Sequence, residues 1–233
     1  FAFSRIANRL DVDGFCVDSL IEGIKLRREG IRKPVLVLGP TLENRLREAA
    51  KSDIAITVSN FEALRALLAV SRPPRFHIKI DTGMHRQGFY PEDIARVVER
   101  VAWNKRHREA LTGVFTHFAA AKDIAYPTYT RMQFEKFEKA SRMFRRAGFR
   151  NLLRHAVATG GALMDPTYHL DAVRVGIGLY GIMPSQELEM QCASFALSPI
   201  LRWRTLISEV KSLKAGDFVG YDLTERVLKA TRM

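Results

Sequence analysis

Between residues 79 and 89 the chain reads Lys79-Ile80-Asp81-Thr82-Gly83-Met84-His85-Arg86-Gln87-Gly88-Phe89, which puts two cations, a carboxylate, an imidazole and a hydroxyl into one short loop. Lys79 closes an apolar run, and a lysine pointing into an interior is rare unless it is paired. A second apolar run ends in Thr116-His117 and adds another imidazole. Thr159-Gly160-Gly161 sets a hydroxyl and two small residues at an expected helix start, where free backbone N–H groups favour a phosphate. Arg174-Val175-Gly176-Ile177-Gly178 adds a permanently charged guanidinium and glycines that let a ligand approach the main chain. Singly, each has a plainer reading. Arg86 and Arg174 read as surface or ion-pairing residues, His117 as a hydrogen-bonded structural histidine, and Gly160-Gly161 as a tight turn. Together, at the ends of successive strand-like runs, they describe a cup for a phosphate-bearing ligand. No pair of His or Cys has metal-ligand spacing, so no metal is expected, and no G-x-S-x-G or Walker sequence is present.

Such a cup needs elements that bring it to one rim. Residues 14–17, 35–38, 54–58, 76–80, 111–115, 155–158 and 172–175 are short and apolar, as expected of strands buried on both faces. Helical patterns fall between them at 19–29, 42–50, from 60 onward, 91–101 and about 127–146. Asp18-Ser19 is placed to cap the first helix and Gly30 to stop it, while Phe134, Phe137 and Phe144 line the longest one. Strands alternating with helices argue for a parallel sheet of βαβ units. An open doubly wound sheet fits the alternation too, but no glycine-rich strand-to-helix turn stands near the start. In a (β/α)8 barrel the active site lies at the C-terminal strand ends, with phosphate commonly held after strands 7 and 8. Beyond Tyr180 the texture changes. Residues 182–193 read as a loop, 200–210 alternate like an antiparallel strand, 214–217 form a turn, and 218–221 read as another strand. The expected fold class is α/β: a TIM-type (β/α)8 barrel with its first strand missing over residues 1–189, then the beginning of a β-rich C-terminal domain over 190–233.

The composition narrows the partners. Lysine and arginine number 37 against 25 acidic residues, a net charge of +12. The densest basic stretches, 27–33, 96–108 and 142–154, read as solvated helix faces, and no zinc-finger, RNP or basic-region pattern accompanies them. Nucleic acid is therefore not the expected partner. No apolar run approaches the roughly 20 residues that span a bilayer, and the start lacks the apolar core of a signal peptide, so no membrane association is expected. Cys16 and Cys192 stand far apart, outside any C-x-x-C, and read as buried thiols of a reducing compartment. A start at Phe1 and an end just after a strand-like run suggest a piece of a longer protein.

The run from Lys79 to Phe89 resembles the K-x-D-T-G-M-x-R-x-G motif of the alanine racemases, fold-type III enzymes dependent on pyridoxal 5'-phosphate (PLP). Thr116-His117-Phe118-Ala119 is similar to that family's T-H-F-A segment, His155 to Gly161 to its phosphate-binding segment, and Val173 to Gly181 to its V-R-P-G-x-x-L-Y-G run. The resemblance extends over the flanks, from Ser19 to Gly39 and from Gly216 to Tyr221, and so covers nearly the whole chain. It implies that Arg86 bonds the cofactor's phenolic oxygen, beside a Lys79 that is carbamylated in some members. A carbamate there would turn a cation into an anion able to orient Arg86. It further implies that His117 packs on the pyridine ring, that Thr159 and the backbone of Gly176 and Ile177 bind phosphate, and that Arg174 faces the pyridine nitrogen. An always-charged donor in that last place keeps the nitrogen unprotonated and the ring a weaker electron sink. His155 and Asp165 take supporting roles.

The departures matter equally. The family's Schiff-base lysine sits in a V-K-A-x-A-Y-G-H-G segment that has no counterpart here, and its opposite-face tyrosine sits in a G-Y-x-D-G segment. Val219-Gly220-Tyr221-Asp222 lies one strand too early for that role, so Tyr221 reads as structural. Both catalytic groups are thus expected outside the chain. Ala158-Thr159 replaces the frequent Asn-Ser pair, and Val175 the usual proline. The implied function of the parent protein is interconversion of L- and D-alanine in the cytoplasm, supplying D-alanine for peptidoglycan. The parent is expected to be a homodimer, and the fragment by itself inactive. Another fold-type III enzyme, whether a different amino-acid racemase or a decarboxylase, is the alternative. A non-enzymatic basic binding protein is the second.

Overall fold

The computed structural model describes residues 2–122 and 127–233. They divide into two units, Phe1–Ser198 and Pro199–Met233. In the first, helices and strands alternate as α1 (Ala2–Arg9), β1 (Phe15–Val17), α2 (Leu20–Arg28), β2 (Val35–Val37), α3 (Leu46–Lys51), β3 (Ala55–Val58), α4 (Phe61–Leu68) and β4 (Phe76–Lys79). Then come α5 (Ile94–Ala102), α6 (Lys105–Ala110), β5 (Leu111–Phe115), α7 (Pro127–Arg146), β6 (Leu153–His155), α8 (Thr159–Met164) and α9 (Gln186–Gln191). The six strands pair in sequence order, each parallel to the next, and curl into a partial barrel.

The local reasons are visible in the residues. Ser19 caps α2 in a reciprocal box, its hydroxyl accepting from the Glu22 N–H while the Glu22 carboxylate accepts from the Ser19 N–H at 3.0 Å. In α5 the buried residues Ile94, Val97, Val98 and Val101 fall at i, i+3, i+4 and i+7, a single face turned to the sheet. Phe137 and Phe144 of α7 are buried in the same core. Phe3 of α1 stacks on Tyr180 at 5.6 Å, which joins the start of this unit to the segment after β6.

Three expectations are corrected. The strand expected at 172–175 is reduced to one bridge, Ala172 to His155. The Arg174 N–H still reaches Val157 C=O at 3.1 Å, but beyond it the Gly176 and Gly178 N–H groups donate to the Thr159 hydroxyl rather than to a ladder. The expected loop at 182–193 contains α9, whose start is capped by the Ser185 hydroxyl accepting from the Leu188 N–H. Residues 200–210 form no strand although their pattern alternates, and Trp203, Leu206 and Ile207 stand exposed. Alternation marks a surface suited to a sheet, but a strand exists only with a ladder partner.

The second unit consists of β7 (Ser212–Leu213), β8 (Phe218–Val219), β9 (Glu225–Arg226) and β10 (Thr231–Arg232). β7 pairs antiparallel with β10, and β8 with β9. Tyr221 is 96% exposed there. Cys16 is exposed and Cys192 half-buried, and neither is the buried thiol expected; Cys16 lies on an edge strand.

Candidate functional site

β4 builds the centre of the site. His77 and Lys79 share one face of the strand while Phe76 and Ile78 enter the core on the other. Opposite His77 in the register is Gly113 of β5, and a Cβ there would lie 2.5 Å from the imidazole. Glycine is the notch that admits the ring. Phe115 stands beside Lys79 in register on one side and His155 on the other, and its ring stacks on His155 at 4.7 Å.

The loop after β4 is closed on itself. Asp81 N–H donates to Phe89 C=O at 2.8 Å and Phe89 N–H to Lys79 C=O at 3.0 Å, which pins its base. Gly88 makes that closure with φ +136°, and a Cβ on it would sit 2.5 Å from the Asp81 nitrogen. Inside, the Asp81 carboxylate accepts the backbone N–H groups of Gly83, Met84, His85 and Arg86. Burial works to raise its pKa, but the N–H bonds from Gly83, His85 and Met84 together hold it below the usual carboxylate range. Arg86 is thereby presented outward at a fixed place on the loop, with its side chain exposed.

Lys79 donates from Nζ to Gln87 Oε1 at 3.1 Å and lies 5.7 Å from the centre of the Phe115 ring. Burial, then the nearby Arg86 and Arg174 guanidiniums, push its pKa down to about 8. Arg174 donates to Thr116 C=O and Ala156 C=O, each at 2.9 Å, to His155 Nδ1, and to His117 Nδ1 at 3.3 Å. Burial lowers its pKa to about 10, which leaves it charged at neutral pH. A guanidinium can only donate, so His155 Nδ1 accepts and its Nε2 carries the hydrogen. That hydrogen faces His77 Nδ1 at 3.0 Å. Burial, and after it the Arg174 charge, hold both His77 and His117 at about 4 and push His155 well below its ordinary value. All three imidazoles are neutral at physiological pH.

Thr159 opens α8 and is buried, its hydroxyl accepting from Gly176 N–H at 3.1 Å and Gly178 N–H at 3.3 Å. A cavity of about 220 Å³ lies beside it, lined by His117, Lys122, Thr159, Gly160, Gly176 and Ile177 among others. Four of the expected site residues (His117, Thr159, Gly176 and Ile177) therefore share one cavity, with Arg174 bonded to the back of His117. Lys79 and Arg86 belong to the neighbouring β4 loop and do not line it. Asp165 is a local cap, accepting from the Thr167 N–H at 2.8 Å.

A family model described as alanine racemase, N-terminal domain, matches residues 2–184. The chain belongs to the alanine racemase N-terminal domain family. It is 30% identical over 237 residues to an alanine racemase of Leptospira interrogans, covering 99% of this chain and 60% of that protein. With an alanine racemase of Desulfosudis oleivorans it shares 38% identity over 228 residues, 92% of this chain and 57% of the relative. Among solved structures it is similar to an alanine racemase from Clostridium difficile 630, with a TM-score of 0.78 at 28% identity, covering 99% of this chain and 60% of that one. A Bacillus anthracis alanine racemase solved with bound L-Ala-P also gives a TM-score of 0.78 at 28% identity, covering 98% of this chain and 59% of that one. The chain thus spans about 60% of the length of these relatives. The alanine racemase likeness accounts for the curled parallel sheet as part of a TIM-type barrel.

Two features of this alanine racemase domain escape a reading of sequence alone. His77 carries the Arg174–His155 chain one residue further, and its one signal was its place two residues before Lys79 on the same strand face. Gln133 of α7 joins two rim segments, its Nε2 donating to Thr82 Oγ1 at 3.4 Å and its Oε1 accepting from Ala119 N–H at 2.9 Å. Nothing in the local pattern of a long helix distinguishes it.

Proposed function

We propose that the parent protein interconverts L- and D-alanine with PLP and that this chain supplies most of the cofactor cup. The observation that carries the reading is Arg174, a half-buried cation whose hydrogen bonds go to neutral acceptors, one of them the imidazole of His117, which lines the cavity of about 220 Å³. The residues fit the cofactor. Glycine backbones and the Thr159 hydroxyl offer hydrogen bonds to a phosphate, His117 offers a flat neutral face, and Arg174 offers a donor that cannot give up its proton. When bound, PLP supplies a carbonyl that captures an amine and a conjugated ring that spreads negative charge from the adjoining carbon.

The chain's own residues bind and orient. With the cofactor bound, Thr159, Gly176 and Ile177 would hold the phosphate, His117 would pack on the ring, Arg174 would donate to the ring nitrogen, and Arg86 would donate to the phenolic oxygen. Lys79, lowered to about 8, has a larger neutral fraction near neutral pH than an ordinary lysine, and that neutral amine can add CO2 with loss of a proton, giving an anion beside Arg86. The proton-moving lysine and tyrosine are assigned to parts of the parent outside these 233 residues, since no V-K-A-x-A-Y-G-H-G segment stands in them. The parent acts as a cytoplasmic homodimer. Among the described residues no helix is long and apolar enough to cross a membrane.

The test has two parts. Titration of PLP followed by absorbance gives saturable binding, and Thr159→Val weakens it while leaving unphosphorylated pyridoxal unaffected. The whole parent with PLP in D2O exchanges the α-hydrogen of alanine and forms the opposite enantiomer. Absence of exchange with cofactor bound overturns the reading.

A further inference from the structure

A second cavity, of about 260 Å³, opens on the outer side of the sheet between α7 and β6. Its position follows from strand geometry, because neighbours on a strand point to opposite faces. His155 faces Arg174 and the cup, so Arg154 points the other way, towards Glu138 of α7. The buried rings of Phe144 and Phe149 form part of the floor, and Arg142, Arg145, Arg150 and Arg154 surround it.

The charges there do not cancel. Arg154 pairs with Asp171 at 3.1 Å and with Glu138 at 3.3 Å, and Arg142 reaches the same Glu138 at 3.7 Å. Arg145 and Arg150 have no side-chain hydrogen bond or ion pair among the described residues, although both border the cavity. Four guanidiniums against two carboxylates leave two positive charges in surplus. The carbonyl end of α7 offsets about half a charge, so it does not neutralise them. Like charges gathered round one hollow are unfavourable unless an anion joins them, and planar guanidiniums match phosphate oxygens in pairs.

We propose that this cavity is a second anion site, separate from the cofactor cup, that takes a small phosphate-bearing molecule. Arg145 and Arg150 are its free donors, and Arg154 is held ready by Asp171. The assignment does not depend on the PLP reading.

Pyrophosphate is the probe, titrated calorimetrically into the Thr159→Val protein so that the cup does not compete. Saturable binding is expected, weakened about tenfold or more in the further variant Arg145→Gln/Arg150→Gln. Both positions are exposed, and an unchanged circular dichroism spectrum checks that the fold is kept. The same titration on protein with Thr159 intact guards against a folding defect of that variant, and it should contain one component lost on the double arginine change. Malonate should bind more weakly than pyrophosphate. No saturable binding, an affinity indifferent to the two arginines, or equal affinity for malonate overturns the proposal.

Discussion

Arg174 spends its donors on two main-chain carbonyls and two imidazole nitrogens, none of them charged. A carboxylate partner would have cancelled its field, whereas these acceptors fix its direction and leave the charge available. Removing it exposes the dependence. Arg174→Met leaves Thr116 C=O and Ala156 C=O without a donor in the interior, at roughly 1–3 kcal/mol for each unsatisfied group. The expected outcome is a loss of about 2–6 kcal/mol in urea unfolding, with a change in the His155 tautomer visible by nitrogen NMR. An unchanged tautomer would refute the donor chain. Residues of this kind are legible in sequence when they stand at the end of an apolar run, as His117 and Thr159 do, or within a recognisable motif, as Arg86 does. His77 was not, because its role depends on a neighbour 78 residues away.

Among the elements, the loop after β4 depends most on one side chain. Four N–H groups converge on Asp81, and a neutral amide in its place cannot accept them all equally well. Asp81→Asn is expected to cost about 2–3 kcal/mol, since hydrogen bonds to a charged group are worth about 1.5–3 kcal/mol each and only some are lost. It should also loosen Arg86 and raise amide exchange over 83–86 above that of β4, measured by mass spectrometry. Exchange no faster than in the parent would show that the pinned base alone holds the loop. The β/α alternation was readable because the strands are short apolar runs and several helices carry a local cap, Ser19 for α2 and Asn60 for α4. The segment 200–210 was misread for the converse reason: its period is right, but the partner that makes a strand is not encoded in it. The run at 172–175 keeps the Ala172 bridge and the Arg174 N–H bond to Val157, and beyond it the Gly176 and Gly178 donors go to Thr159, a residue in another element.

For the molecule as a whole, the buried imidazoles set the acid limit. His77 and His117 are held at about 4 against an ordinary 6.5. The unfolded chain therefore takes up their protons first as pH falls, so stability is fully present above about pH 6.5 and declines from there to about pH 4. Urea midpoints at pH 7 and pH 5 should differ in that direction, and His77→Gln should flatten the difference. Lys79 acts at the other end: held at about 8 against 10.5, it sheds its proton first in the folded state, so its penalty is relieved as pH rises through that interval. The net charge of +12 has structural employment too, as in Arg27, whose guanidinium donates to the carbonyls of Ser52, Ile31, Lys33 and Asp53.

The stacking of Phe3 on Tyr180 joins residues separated by almost the whole first unit. The contact closes a long circuit in this unit and so carries a large loop-closure cost. It is therefore expected to form late in folding, after the transition state. Phe3→Ala should quicken unfolding and leave the refolding rate nearly unchanged in stopped-flow experiments, giving a φ-value near zero. A high φ-value would mean that the circuit closes early and the middle of the chain fills in afterwards.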